Sequence, residues 1–177
     1  MRRFLDRLYA AGGALAAVCL AGIAAVMLAQ AGMRAVGLLF RGADDIVAWL
    51  CAGSAFLALG YTFRHGELVR VSLLLDRLAG RARRRAEIGC LGAALLVVVY
   101  IAWAVAQFVY QSWQFNELAQ GLIQIPIWIP QMSLVIGTWI LVVAVVDEFV
   151  TLLRGGKPRY QAAVDERRAS ADFSETV

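Results

Sequence analysis

From Leu8 to Met33 the chain runs without one charged residue. A hydrocarbon core about 30 Å thick is crossed by about 20 helical residues, so a run of this length sets the class of the protein before any motif is read. Three more runs follow. Ile46 to Phe63 is uncharged, Ile88 to Tyr110 is dominated by Leu, Val and Ala, and Pro126 to Leu153 is apolar except for Asp147 and Glu148 near its end. Pro126 stands where a first-turn proline would open the last helix. The spans are expected as helices, because backbone in lipid must satisfy its own hydrogen bonds and no segment alternates with the period of a barrel strand. The expected fold is therefore an all-α integral membrane protein, with residues 1–154 forming a single four-helix transmembrane domain and residues 155–177 a mobile tail. Composition agrees: 61% of residues are hydrophobic and 17% charged, with a mean hydropathy of +0.69. That leaves too little polar surface to coat a soluble globule.

The loop charges orient the spans. Arg2, Arg3 and Arg7 precede the first; Arg64, Arg70, Arg77, Arg81, Arg83, Arg84 and Arg85 lie between the second and third; Arg154, Lys157, Arg159, Arg167 and Arg168 follow the fourth. These are fifteen of the seventeen basic residues, leaving Arg34 and Arg41 for the loop after the first span and none for the loop after the third. Both termini of this multi-pass chain are thus expected in the cytoplasm. Between the second and third spans, residues 64–87 are too polar to cross. Leu68, Val71, Leu75, Leu78 and Ala82 nevertheless share one helical stripe, with Arg70, Arg77, Arg81 and Arg84 opposite, so an amphipathic segment lying in the cytoplasmic interface is expected, bent or broken at Gly80. A solvated loop is the alternative. At the N-terminus, Arg2, Arg3 and Ala29-Gln30-Ala31 imitate a cleaved signal peptide, but the apolar run exceeds the 7–15 residues usual for one and favours a retained anchor.

Several chemistries lack their residues. The net charge of +4 comes from sixteen Arg and one Lys placed beside apolar runs, which membrane topology explains without a nucleic-acid partner. Cys19, Cys51 and Cys90 form no C-x-x-C pattern and read as small hydrophobes, not as a disulfide or metal framework. His65 is the single histidine, whereas a haem between helices usually takes two. Ser54 lies about 16 Å along a helix from His65, too far for a nucleophile and its base. No catalytic residue, cofactor or metal site is therefore expected. The first three spans hold no ionisable residue near mid-membrane of the kind a coupled carrier uses. Asp147 and Glu148 fall in the last turns of the fourth span, as hydrated or Arg-paired end residues. Gln30, Gln107 and Thr138 are expected to bridge helices, and Gly22, Gly53, Gly60, Gly89 and Gly92 to permit close packing. Such a chain is poorly equipped to move a solute alone and reads as a partner of other proteins.

Two strings of residues give that partner a family. Around the end of the second span the sequence reads Gly60-Tyr61-Thr62-Phe63-Arg64-His65-Gly66-Glu67-Leu68-Val69-Arg70-Val71-Ser72, and before the fourth it reads Ser112-Trp113, Glu117, Ile125-Pro126-Ile127-Trp128-Ile129-Pro130 and then Gly137. From about Asp44 to Arg154 the chain resembles the small membrane subunit of tripartite ATP-independent periplasmic (TRAP) transporters, the DctQ-like small permeases. Leu68 and Ser72 depart from the His and Asp common there. The resemblance implies a scaffold beside a large multi-span permease subunit that carries the substrate and ion sites, and a periplasmic substrate-binding protein that delivers an organic anion. It marks Arg64, Gly66, Arg70, Trp113, Pro126, Trp128 and Gly137 as candidate subunit-interface or motif positions, alongside membrane lipids as surroundings. Glu117, Asp44 and Asp45, the acidic residues of the outer loops, are the candidate binding-protein docking residues. The alternative is a stand-alone four-helix carrier using Asp147 and Glu148, or the membrane anchor of another complex.

Overall fold

The computed structural model describes residues 2–64 and 80–154. They form four helices, α1 (Arg2–Ala35), α2 (Ala43–Arg64), α3 (Gly80–Gln114) and α4 (Trp128–Leu153). Each is long and apolar enough to cross a membrane, in keeping with an all-helical, four-span chain. The amphipathic segment expected over residues 64–87 falls largely outside the described residues, as do the tail 155–177 and the motif positions Gly66 and Arg70. Gly80 is the first residue of α3, and residues 80–87 run into the third span as one unbroken helix.

The fourth helix starts later than Pro126 suggests. Pro126 is held in an antiparallel bridge with Leu118, and α4 begins at Trp128 with no side-chain cap on Ile127. The proline inside the first turn is Pro130. Its missing N–H costs nothing there, because the first N–H groups of a helix have no intrahelical partner.

The helices pack as an open row: α1 against α2, α2 against α4, and α4 against α3, with a slight touch between α1 and α4. Burial follows the order. In the most apolar stretch of α4 39% of residues are buried and in α2 28%, against 11% in α1 and in α3. The two edge helices therefore turn large side chains outward, among them Val18, Leu20 and Leu28 on α1 and Leu96, Tyr100 and Trp103 on α3, a surface suited to lipid or to another membrane protein. The seam between α2 and α4 is tight because two glycines open it. A Cβ on Gly137 would overlap the main chain of Phe56, and one on Gly60 would overlap Ile140. Gly89, expected among the packing glycines, faces open space instead.

Five hydroxyls inside the spans are satisfied within their own helices. Ser54, Thr62, Ser133, Thr138 and Thr151 each donate to a carbonyl three or four residues earlier in their own helix. Thr138 thus does not bridge helices as expected; a hydroxyl that returns to its own turn needs no partner across lipid. Gln107 is exposed on α3. Gln30 does bridge, donating from Nε2 to Asp44 Oδ1 at 3.3 Å and joining α1 to α2. The buried core collects toward the end that carries the chain termini, where Tyr9, Phe63, Leu91, Ile140, Val145 and Leu152 bring all four helices together.

Candidate functional site

Opposite the termini, two loops cover the end of the row: residues 36–42 between α1 and α2, and residues 115–127 between α3 and α4. The longer loop has an internal frame. After Gln114 the chain turns through Asn116 in the left-handed region (φ 48°), a conformation Asn tolerates better than most residues. Ala119 N–H then donates to the Ile125 carbonyl at 2.9 Å, and Ile127 N–H to the Glu117 carbonyl at 3.0 Å, flanking the Leu118–Pro126 bridge. At its base, Ser112 Oγ donates to Glu117 Oε2 at 2.9 Å while Glu117 N–H donates to the Ser112 carbonyl at 3.0 Å.

The tip of this loop is fastened to the other side of the molecule. Asp45, in the first turn of α2, accepts Leu122 N–H at 2.8 Å and Ile123 N–H at 3.3 Å on a single oxygen, Oδ2. Gly121 gives the carboxylate its room, since a Cβ there would overlap the Asp45 carboxyl group. Gly42 has φ 84°, and a Cβ on it would lie 2.5 Å from Ile123 Cγ1. Both loops are shaped around one contact. A carboxylate in the first turn also suits the positive end of the helix dipole.

All three candidate docking residues thus gather at one end of the bundle, in unequal roles. Asp44 is exposed, with Oδ1 held by Gln30. Glu117 is exposed, with one oxygen held by Ser112. Asp45 is half-buried and turned toward main chain. Leu38, Leu39, Phe115 and Leu122 stand exposed around them. The two motif tryptophans, Trp113 and Trp128, line one apolar cavity of about 280 Å³ between α3 and α4, with Tyr110, Met132 and Val135. Gly137 lies elsewhere, in the α2–α4 seam.

At the opposite end Arg64 is the centre. It forms an ion pair with Asp6 of α1, and its guanidinium carbon lies 5.3 Å from the centre of the Tyr9 ring, within cation–π range. Arg64 also borders a small void of about 10 Å³, room for about one water, whose wall includes Phe63, Asp147 and Glu148. Glu148 is buried, with 4% of its surface exposed. Asp6 and Tyr9 were not among the residues singled out from sequence. The available signal was depth: Asp6 and Arg64, opposite in charge, sit at the same edge of consecutive apolar runs.

Among the described residues no three His, Cys, Asp or Glu side chains converge as a metal site would require. The charged groups of the helices collect at the two ends of the row and leave its middle apolar. A comparison with curated proteins finds no match. A family model described as the DctQ component of tripartite ATP-independent periplasmic transporters matches residues 23–155, a range holding three of the four helices whole and both of the string motifs. The chain belongs to that family and is a small permease component of a TRAP transporter.

Proposed function

We propose that this chain is the non-catalytic scaffold of its transporter, that it associates along its exposed helical faces with the large permease subunit, and that its two-loop end helps dock a periplasmic substrate-binding protein for ion-coupled uptake of an organic anion. The termini, the Arg64–Arg85 region and the tail face the cytoplasm of a bacterial inner membrane, and the loops 36–42 and 115–127 face the periplasm.

One observation carries the reading: every charged residue of the four described helices lies near a helix end, so no ionisable group is stationed at mid-membrane to couple an ion gradient. The open row supports it, because α1 and α3 leave wide apolar faces for a larger partner. The test is reconstitution. Proteoliposomes holding this chain alone should accumulate no organic acid under an imposed sodium or proton gradient, and those that also hold the large subunit and the binding protein should. Gradient-driven accumulation by the chain alone, abolished by Asp147→Asn and Glu148→Gln together, would instead identify a stand-alone carrier.

A further inference from the structure

Asp45 looks from sequence like a surface charge offered to a partner. Its carboxylate is instead spent on Leu122 and Ile123 of the loop before α4, seventy-seven and seventy-eight residues away in sequence. Three separate features serve that contact. Oδ2 accepts two consecutive N–H groups; Gly121 has no side chain where the carboxylate sits; and Gly42, at positive φ, leaves space for Ile123. Leu122 shows the result, since its N–H is tied down while the residue as a whole is 73% exposed. The base of the same loop, through Ser112 and the Leu118–Pro126 bridge, sets the position of Glu117.

We infer that Asp45 is a latch: from the first turn of α2 it fastens the loop before α4 beside Gly42, so that the two periplasmic loops form one pre-ordered platform, and it serves binding-protein docking as a positioning residue, not as a charge in contact with the partner. The inference rests on the docking reading of the two-loop end. Its physical basis is the cost of ordering. A loop that is free before docking must be immobilised on association, at a cost in conformational entropy, whereas a latched loop has met that cost during folding. Asp45 would then control how much binding protein is needed without touching it. Charge and latch separate cleanly in one pair of variants. Asp45→Asn removes the charge and keeps an oxygen that accepts both N–H groups; Asp45→Ala removes both.

The experiment uses the complex of this chain with its large permease subunit in nanodiscs, titrated with the cognate binding protein, and amide hydrogen exchange on the same samples. In the wild type and in Asp45→Asn, Leu122 and Ile123 should exchange slowly; in Asp45→Ala they should exchange fast. Asp45→Ala should raise the half-saturating binding-protein concentration about five- to tenfold without changing the maximal occupancy, and Asp45→Asn should restore most of the affinity. Equal exchange at Leu122 and Ile123 in wild type and Asp45→Ala would overturn the latch whatever the docking surface is. If Asp45→Asn and Asp45→Ala weaken docking equally while only Asp45→Ala frees the amides, Asp45 acts by charge and the positioning role falls. Unchanged titrations for Glu117→Lys, Asp44→Lys and Asp45→Ala alike would remove the docking reading itself, and this inference with it.

Discussion

Gly137 has no side chain at the point where α4 crosses the main chain of α2 next to Phe56. A larger residue must push the two central helices apart or force them into strain. Gly137→Val should cost about 1–3 kcal/mol and lower the thermal midpoint of the detergent-solubilised protein. Gly89→Ala is the internal comparison: it adds its methyl group to open space on α3, where exchanging Gly for Ala favours the helix by up to about 1 kcal/mol. Its midpoint should hold or rise. Gly137 was marked in the sequence because it follows a motif, and the reason for a glycine there, an approach to the backbone of another helix, is a tertiary fact. Within this chain Gly60 meets a neighbouring helix and Gly89 does not, since an apolar run does not disclose which of its faces meets which neighbour. Asp45 shows the same boundary from the polar side. Its sign and its place at a helix start are legible, but its partners come from a loop two helices further along the chain.

Among the elements, the loop before α4 and the helix it feeds answer to different tests. Glu117 is exposed, and exposed rim charges act mainly on encounter. Glu117→Lys should slow association of the binding protein roughly threefold to tenfold at low ionic strength, with the difference shrinking as salt screens it, while the two membrane subunits still co-purify. Trp128→Ala should do the reverse. It strips one wall of the cavity shared with Trp113 and should reduce co-purification of the large subunit while leaving the salt dependence of docking unaltered. Helix existence was legible for all four spans, because length and continuous apolarity suffice. The start of α4 was not: Pro126 and Pro130 both suit a first turn, and only the pairing of Pro126 with Leu118 decides between them. For the segment between α2 and α3 the sequence remains the guide. If its apolar stripe rests in the interface, Leu75→Glu should lower the yield of assembled complex more than Arg77→Gln, measured by membrane fractionation and size-exclusion chromatography; equal, small losses would favour a solvated loop.

For the whole molecule, the charge count makes a claim that reporter fusions check directly. Fusions after Arg154 and within residues 81–85 should report cytoplasm, and fusions near Asp44 and Gln120 should report periplasm, on the strength of fifteen basic residues against two. A C-terminus outside would end the proposed orientation. The row order, α1–α2–α4–α3, has no counterpart in the sequence, because hydropathy records that four helices cross and is silent on which stand side by side. That order differs from the order of synthesis, and the difference bears on biogenesis. As the chain leaves the ribosome, α1 and α2 can pair at once, but α3 emerges before α4, the helix against which it packs. Until α4 arrives, α3 waits in the bilayer without its neighbour, and its own first turns carry the Arg81–Arg85 cluster that resists transfer across the membrane. A chain ending at Gln114 should therefore keep a protease-resistant α1–α2 hairpin and lose α3 to membrane quality control, a failure that pulse-chase labelling of the truncated and full-length chains would expose.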